Sequence, residues 1–435
     1  MSEIPEMPEI SQEEMQRELF GPLMDIPEKA LVELASNISE RVFHKKPTSE
    51  GNVISRIVGS YNIVHIVQLG KRKFVIRVPC TGWGAGKTDT AARALESQVA
   101  TMRLVARITW AVPEVYDYDA TDQNAIGAPY ICMSFVSGTP VSEVWFKYPE
   151  GWEREIFRFN ILRTLTEVMA QFSKLSFDRI GSVVWNGTKF TASRPCYDWK
   201  ENEDGTVGIV SSGPFDSVQD YLKANSKEST GDEVWNAAET AIMVSAMRHS
   251  PILNSSTEGF VLSPPDFDSQ NIMVDQCGNV IAIIDWDLAQ TLPRCVGFAR
   301  FPGWITRDMN PLMYGWPRDQ TNEDPPHRLM RYRHYYNKEL GRQLGQKGDW
   351  KFTVKSQLTK ALWIAALHSQ YRLEICRKFV QYAWNIEFEK TLDVLFDIGA
   401  RGDDDDDQEP LDLDSKMQKL MALEPKEDAS TTNST

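Results

Sequence analysis

Five aspartates and two asparagines are crowded into LSPPDFDSQNIMVDQCGNVIAIIDWD, which covers residues 262–287. Two apolar segments, NIMV and VIAII, flank DQCGN, whose Asp, Gly and Asn are typical of a hairpin turn. Such a hairpin would bring Asn271, at the start of the first strand, beside Asp285, at the end of the second. Asp266 lies five residues before Asn271, in a loop that contains two prolines. The spacing therefore predicts three oxygen-bearing side chains at one end of a rigid hairpin.

The chemistry of these side chains points to phosphoryl transfer. An amide and a carboxylate together suit Mg²⁺, a hard cation that prefers oxygen ligands and substrate phosphates. A third carboxylate, Asp266, could accept a proton from a hydroxyl group. The alternative for Asp266 and Asp285 is ordinary turn and capping chemistry, because single aspartates beside a hairpin are common.

The elements that must position these residues indicate an α+β protein. The runs VISRIVG, NIVHIVQLG and KFVIRVP predict three antiparallel strands within residues 53–79, followed by a helix over residues 90–108. PYICMSFVSG predicts a further strand that ends at Gly138, and helices dominate after it. The chain of 435 residues is long enough for a small β-rich N-terminal lobe and a larger, mainly helical C-terminal lobe.

Charge and composition suggest how the chain is divided. The net charge is −14, but residues 1–20 hold six Glu against one Arg, and residues 402–435 hold eleven acidic residues against three lysines. The body between them is nearly neutral, so the acidity describes the two ends. We expect a flexible acidic N-terminal arm (1–25), an N-terminal lobe with a preceding helix (26–135), a helical C-terminal lobe with the catalytic hairpin (136–400) and a disordered acidic tail (401–435).

The motif D-x-x-x-x-N, followed by a hairpin and I-D-W-D, resembles the catalytic segment of the aminoglycoside phosphotransferase and choline-kinase-like superfamily. Other stretches resemble the branch of this superfamily that is abundant in fungi, namely VGSYNIVHIV, VIRVP, FDRIGS, GPFDSVQDYL and GFARFPGWITRDMNP. The resemblance spans about residues 50–390. It implies a two-lobed protein-kinase-like fold, with ATP and Mg²⁺ bound between the lobes.

The resemblance also implies roles for individual residues. Asp266 corresponds to the catalytic base, and Asn271 and Asp285 correspond to the ligands of Mg²⁺. The nucleotide site would comprise Gly59, Ser60 and Asn62 in the loop over the phosphates, Arg77 and Gln98 near the phosphates, and Met133 and Phe135 at the hinge against adenine. Asp268 is a candidate for contact with the phosphate acceptor, because carboxylates in this region could hold a cationic acceptor. A capping or core role for Asp268 is the alternative.

Three positions depart from the superfamily pattern. Pro264 stands where a loop-bonding His is usual, and it offers no side-chain hydrogen bond. Arg77 stands where a Lys normally contacts the phosphates. The Glu that pairs with that Lys is replaced by Gln98, because the apolar stripe of the helix turns Gln98 inward and Glu96 to the other flank. On this pattern, Arg77 loses its ionic orienting partner.

Three functions fit these observations to different degrees. The first is a small-molecule kinase that transfers the γ-phosphate of ATP to a hydroxyl of an unknown metabolite. The second is a catalytically impaired pseudokinase that binds nucleotide or a protein partner, as Gln98 and Pro264 suggest. A protein kinase lacks support, because no A-P-E follows Asp285 and that region reads GWITRDMNP instead.

Other patterns in the chain have structural explanations. GWGAGKT lacks the first glycine of a Walker A loop and follows the wrong strand. RYRHYY is one basic and aromatic segment in a neutral body, so we expect no nucleic-acid partner. No apolar run reaches the length of a membrane span. We therefore expect a cytoplasmic protein whose partners are a nucleotide and a small-molecule acceptor, with its oligomeric state left open.

Overall fold

The computed structural model describes residues 11–44, 50–202, 205–227, 232–253, 258–310, 312–400 and 412–423. The α+β class is confirmed, with a β-rich N-terminal lobe and a mainly helical remainder. The N-terminal lobe contains α1 (Gln12–Phe20), α2 (Glu28–Phe43), β1 (Asn52–Val58), β2 (Asn62–Leu69), β3 (Arg72–Pro79), α3 (Asp89–Val105), β4 (Val115–Asp119) and β5 (Tyr130–Ser134).

The five strands of this lobe form one antiparallel sheet in the order β1-β2-β3-β5-β4. Because side chains alternate along a strand, β3 directs Phe74, Ile76 and Val78 into the core beside α2 and directs Val75 and Arg77 to the opposite face. That opposite face lines a cleft. The alternation therefore places Arg77 in the cleft on a strand whose other side is fully buried.

The C-terminal lobe is built from helices and five short hairpins or strand pairs. Its helices are α4 (Val141–Val144), α5 (Trp152–Ala170), α6 (Val218–Asn225), α7 (Glu233–His249), α8 (Pro326–Leu344), α9 (Trp350–Thr353), α10 (Ser356–Leu367), α11 (Arg372–Trp384), α12 (Thr391–Ala400) and α13 (Leu413–Met421). Its strands are β6 (Thr139–Pro140), β7 (Ser182–Trp185), β8 (Phe190–Arg194), β9 (Cys196–Glu201), β10 (Val207–Ser212), β11 (Phe260–Leu262), β12 (Ile272–Val274), β13 (Val280–Ile283) and β14 (Thr291–Pro293).

The strongest sequence patterns predicted their elements well. The three predicted strands correspond to β1, β2 and β3, and the predicted helix over residues 90–108 corresponds to α3. The helices that dominate after Gly138 include α10 and α11, which are separated by a short 3₁₀ turn. Hairpins β7–β8 and β9–β10 were not predicted, because their strands are short and largely polar on one side.

The N-terminal arm is not a flexible segment from residue 11 onward. Ser11 and Glu14 form a reciprocal capping box that starts α1. Phe20 and Leu23 are buried in the core of the N-terminal lobe, and the indole of Trp83 donates a hydrogen bond to the Leu19 carbonyl at 2.9 Å. The prediction for residues 11–25 is therefore wrong, whereas residues 1–10 lie outside the described part of the chain.

Part of the acidic tail is also ordered against the C-terminal lobe. Met417 and Met421 of α13 are buried at 0 and 1% exposure, where they join the main hydrophobic core. Asp414 accepts hydrogen bonds from Ser245 and Arg248 of α7, at 2.9 and 3.0 Å. Disorder was thus wrongly predicted for residues 412–423, and the rest of the range 401–435 lies outside the described residues. None of the helices described is long and apolar enough to cross a lipid bilayer.

Candidate phosphotransfer site

The hairpin β12–β13 has the turn that its sequence predicts. Asp275 accepts hydrogen bonds from the backbone N–H groups of Cys277 and Asn279, at 2.9 and 2.8 Å. Gly278 has φ +78°, a conformation that suits glycine. Beyond the paired strands, the N–H of Ile284 donates to the carbonyl of Asn271 at 2.9 Å. The two ends of the hairpin are therefore tied together next to Asp285.

Asn271 connects the hairpin to the predicted base. Its side-chain amide donates to Asp266 Oδ2 at 2.9 Å and to the Asp266 carbonyl at 3.0 Å. Gln270 Nε2 donates to the same Oδ2 at 2.7 Å. Asp266 Oδ1 accepts no hydrogen bond from any described residue, and the side chain is exposed to the cleft. One carboxylate oxygen is thus fixed by two amides and the other is available to a substrate.

Asp285 and Asp287 bind Arg77 across the boundary between the lobes. Arg77 donates from Nη2 to Asp285 Oδ1 at 2.8 Å, and from Nη1 and Nη2 to the two oxygens of Asp287 at 2.7 and 2.9 Å. Asp285 has φ +62°, a left-handed conformation that directs its carboxylate back toward β3. The two lobes are therefore joined by a bidentate ion pair at the predicted phosphate site.

Asp287 is an ionic partner of Arg77 that the sequence pattern did not predict. Asn62, at the start of β2, donates to Asp287 Oδ2 at 2.7 Å. Burial raises the pKa of the Asp287 carboxyl, whereas the Arg77 charge and the Asn62 hydrogen bond act in the opposite direction. Burial lowers the pKa of Arg77, but the charges of Asp287 and Asp285 outweigh it and raise that pKa overall. The prediction that Arg77 lacks an ionic orienting partner is therefore wrong.

The two helical candidates for pairing with Arg77 lie in different environments. Glu96 forms an ion pair with Arg194 of β8 at 2.6 Å and is partly exposed. Gln98 is 8% exposed and lines a small cavity together with Arg77 and Asp287. Gln98 thus lies beside the ion pair rather than on the main cleft.

Arg300 supports the loop that Pro264 leaves without a side-chain hydrogen bond. It donates to the Pro264 carbonyl at 2.8 Å and to the Ser263 hydroxyl, and its guanidinium lies 5.3 Å from the ring centre of Phe267. Burial lowers the pKa of Arg300 to about 10. These contacts support the segment around Asp266, so an arginine distant in sequence supplies the loop support that Pro264 cannot.

The nucleotide candidates line the N-terminal side of the cleft. Gly59 closes the β1–β2 loop with an N–H to Asn62 carbonyl bond of 2.9 Å, and Ser60 lies at the tip of this loop. Tyr61 of the same loop stacks on Trp199 of β9, with ring centres 4.2 Å apart and planes within 8°. Met133 of β5 lies opposite Val75 of β3, and both Met133 and Phe135 line the cleft.

One cleft of about 1330 Å³ therefore brings together most of the predicted site residues: Gly59, Ser60, Asn62, Arg77, Met133, Phe135, Asp266, Asn271 and Asp285. Asp268 does not line this cleft. Its carboxylate caps a short 3₁₀ turn by accepting from Ser269 N at 2.6 Å, and it packs against Gly303. Burial raises the pKa of Asp268, as befits a carboxyl turned into the protein.

Three residues of this site were missed in the sequence. Asp287 had a usable signal, because it follows Asp285 by two residues and the pair invites a shared cation. Lys360, which also lines the cleft, had one, because it stands directly before the apolar run ALWIAAL. Arg300 had none, since only the fold shows that it reaches the loop before Asp266.

The donor set fits Mg²⁺. Asn271 Oδ1 and Asp285 Oδ2 accept no hydrogen bond within the described residues, so each has lone pairs open to a cation. No cluster of three or more His, Cys, Asp or Glu side chains suited to a metal ion occurs in the described ranges. An amide and a carboxylate would thus bind a hard cation together with nucleotide phosphates and water, which is the usual manner for Mg²⁺.

Comparison with known proteins finds sequence similarity over about a third of the chain and structural similarity over most of it. No family model matches the chain. A subtelomeric hrmA-associated cluster protein of Aspergillus fumigatus is 29% identical over 163 residues, which is 36% of this chain and 28% of that protein. The altered inheritance of mitochondria protein 9, mitochondrial, of Kluyveromyces lactis is 23% identical over 149 residues, 33% of this chain and 24% of that protein. The matches thus span about a quarter of these relatives' length.

The similar solved structures are phosphotransferases. One from Ralstonia eutropha, described as an aminoglycoside phosphotransferase, has a TM-score of 0.48 at 16% identity and covers 86% of this chain and 97% of its own. A thermostable aminoglycoside phosphotransferase mutant with AMP-PNP and hygromycin B has a TM-score of 0.42 at 15% identity, covering 85% and 99%. A Plasmodium vivax ethanolamine kinase has a TM-score of 0.37 at 13% identity, covering 86% and 95%.

Proposed function

We propose that this protein transfers the γ-phosphate of ATP, bound with Mg²⁺, to a hydroxyl group of a small molecule. The observation that carries the proposal is the position of Asn271. Its amide fixes Asp266, its carbonyl is tied to the strand that leads into Asp285, and its side-chain oxygen is open to a cation. A base and a pair of metal ligands thus share one rigid hairpin, facing a cleft large enough for two substrates.

The residues have separate tasks in this reaction. The acceptor hydroxyl would donate its proton to Asp266 Oδ1, while Gln270 and Asn271 hold Oδ2 and so orient the carboxylate. The acceptor oxygen then forms its bond to the γ-phosphorus as the bond to ADP breaks. Arg77 would offset phosphate charge from β3, and Asn271 and Asp285 would hold Mg²⁺. The bound ion would neutralise charge on the phosphate oxygens.

A pseudokinase is the second candidate, and the hydrogen bonds of Arg77 favour it. Both terminal nitrogens of Arg77 are engaged by Asp285 and Asp287. A phosphate must therefore exchange for, or share, one of these contacts before Arg77 can bind it. A protein that never makes this exchange would keep the ion pair and bind nucleotide weakly or not at all. The nucleotide and a small molecule remain the proposed partners, and a cytoplasmic location remains a prediction.

Two substitutions test the proposal. Asp285→Asn removes a metal ligand, so Mg²⁺-dependent ATP binding measured by calorimetry should weaken. Asp266→Asn should leave that binding close to wild type but slow ADP production with an acceptor panel by about 10²–10⁴-fold. Asp216→Asn, at an exposed aspartate paired with Arg179 outside the cleft, is the matched control.

The outcome separates the candidates. ATP binding without phosphoryl transfer to any hydroxyl compound, unchanged in Asp266→Asn, would support the pseudokinase. The absence of Mg²⁺-dependent ATP binding by the wild-type chain would exclude the kinase and leave a pseudokinase that acts through a protein partner.

A further inference from the structure

The cleft continues past Asp266 into a region that the nucleotide residues do not occupy. We call this region the acceptor chamber and define it by Lys360, Trp363 and Leu367 on the α10 side and Tyr221 and Asn225 on α6. These residues line the same cleft as Asp266, and none of them belongs to the β1–β2 loop. The chamber therefore lies where a hydroxyl compound could reach Asp266 Oδ1.

Lys360 is the unusual group in this chamber. Its ammonium has no hydrogen-bond or ion-pair partner among the described residues. Its charged neighbours are Arg300, which repels it, and Asp266, whose charge favours it. Burial lowers the pKa of the Lys360 ammonium to about 7. A sheltered ammonium that Arg300 repels is stabilised when a further anion joins the Asp266 carboxylate that already acts on it.

The other charged groups around the chamber also favour an anionic ligand. His368, at the end of α10, interacts with Lys360 and Lys227 as well as with Asp198. Asp198 is exposed, and its Oδ1 accepts the Trp199 N–H at 2.9 Å. Of the aspartates that line the cleft, Asp285 and Asp287 bind Arg77. A ligand with several positive charges would therefore meet few unpaired carboxylates in the chamber and would be repelled by its cationic groups.

The walls of the chamber are apolar and partly aromatic. Trp363 stacks on Tyr221, with ring centres 5.3 Å apart and planes within 9°. Ile364 and Leu367 extend this surface along α10. Aromatic faces and aliphatic side chains favour a flat or apolar body over a heavily hydroxylated, charged one.

We propose that the acceptor is a hydroxyl compound with an apolar or aromatic body and an anionic oxygen group, and that Lys360 binds this group. The proposal rests on the proposed phosphotransferase function, because it names the acceptor class of the same site. The alternative source of the anion is the γ-phosphate itself. The charges that act on Lys360 are those of Arg300 and Asp266, whereas the charge of Asp285 is not among them. This placement favours the acceptor.

Three probes of one shape test the acceptor class: para-hydroxymethylbenzoate, its carboxamide, and para-hydroxymethylbenzylamine. Calorimetry or ligand-observed NMR would measure their binding to the full chain, with and without AMP-PNP and Mg²⁺. We expect the carboxylate to bind about tenfold more tightly than either analogue. Lys360→Met should remove this preference, and Lys223→Met, an exposed lysine of α6 outside the cleft, should keep it.

The remaining outcomes decide against the proposal. Equal binding of the three probes, preference for the amine, or no binding of the carboxylate at millimolar concentration would overturn it. Weaker AMP-PNP binding in Lys360→Met, with carboxylate preference intact, would assign Lys360 to the γ-phosphate instead. The probes are also measured without nucleotide, so probe binding is tested independently of nucleotide binding. If the proposed phosphotransferase function is wrong, the wild-type chain will fail to bind AMP-PNP. A thermal melt confirms that Lys360→Met is folded.

Discussion

At the scale of single residues, the proposed phosphate end of the cleft depends on a carboxylate from the opposite lobe. Arg77 extends from β3, and Asp287 meets it with both oxygens while Asn62 binds one of them. A Glu on α3 is therefore not needed to orient the cation. The arrangement differs physically from a pair within one lobe, because it holds only while the lobes are together. The hydrogen bonds of Arg77 therefore depend on how close the two lobes are, as well as on any phosphate that binds.

Asp287→Asn tests this role. The substitution leaves the buried Arg77 with Asp285 alone, so the free energy of unfolding should fall by about 2–4 kcal/mol. Affinity for Mg²⁺-ATP should fall about tenfold, because Arg77 loses its bidentate orientation. Chemical denaturation and calorimetry measure the two effects. Glu96→Gln is the control, since the partly exposed Glu96–Arg194 pair should contribute about 1 kcal/mol or less. Tighter ATP binding by Asp287→Asn would instead make Asp287 a competitor of the phosphates.

Lys360 gives a second prediction, for the pH dependence of stability. The folded protein holds its pKa at about 7, below the ordinary lysine value that applies to the unfolded chain. Between these two values the unfolded chain binds more protons, so wild-type stability gains a contribution that rises with pH above about 7. Lys360→Met removes the cost of the buried charge.

We expect Lys360→Met to be about 2 kcal/mol more stable than wild type at pH 6 or below, with the gap narrowing toward pH 10. Urea denaturation at several pH values measures this difference. Lys223→Met should show no such trend, because Lys223 is exposed. A gap that does not change with pH would mean that Lys360 keeps its charge throughout.

At the scale of elements, hairpin β9–β10 acts as a bridge between the lobes. It follows the C-terminal lobe helices in sequence, but Trp199 and Val207 pack against the core of the N-terminal lobe. Trp199 also stacks on Tyr61 in the phosphate loop. Such a stack limits the motion of a short loop, and under the proposed function it would favour the closed position of the loop over a nucleotide.

Trp199→Ala should therefore raise the KM for ATP about 2–10-fold, because an aromatic pair contributes about 0.5–1.5 kcal/mol. The melting temperature should change little, since Trp199 is only partly buried. Trp185→Ala offers a matched control, because Trp185 packs on Phe190 in the neighbouring hairpin and is 43% exposed. Equal effects of the two substitutions on KM would show that the stack does not hold the phosphate loop.

At the scale of the whole molecule, both ends of the described chain are part of the packed structure. Residues 11–25 complete the core of the N-terminal lobe through Phe20 and Leu23. At the other end, α13 packs on α7 and α11, and Lys355 donates to the Leu420 carbonyl at 2.9 Å. Each lobe is thus closed by a terminal segment that its acidic composition would not suggest.

Two truncations test the C-terminal contribution. A chain that ends at Leu423 retains α13 and should melt like the full chain. A chain that ends at Ala400 exposes the surface that Met417 and Met421 cover, and two buried methionines contribute about 2–5 kcal/mol. Its melting temperature should fall by about 3 °C or more. Equal melting of the two truncated chains would mean that α13 adds nothing to stability.

The sequence alone determined the parts of the site that depend on local geometry. Asp266, Asn271 and Asp285 lie within twenty residues, and a hairpin with a strong turn signal fixes their relation. The strands β1–β3 and helix α3 were predictable for the same reason, since alternation and helical spacing are properties of short windows. A motif that spans one hairpin needs no knowledge of the rest of the fold.

Only the tertiary structure decided which charges meet across long separations. Arg77 and Asp287 are 210 residues apart, and Arg300 reaches the Pro264 carbonyl from a different segment. No short window of sequence contains both members of these pairs, so neither the pairing of Asp287 with Arg77 nor the contact of Arg300 with the Pro264 loop could be predicted. The terminal helices were missed for a related reason. A short helix needs few apolar residues to pack when it covers an apolar surface of the protein body. The composition of the helix does not show that this surface exists.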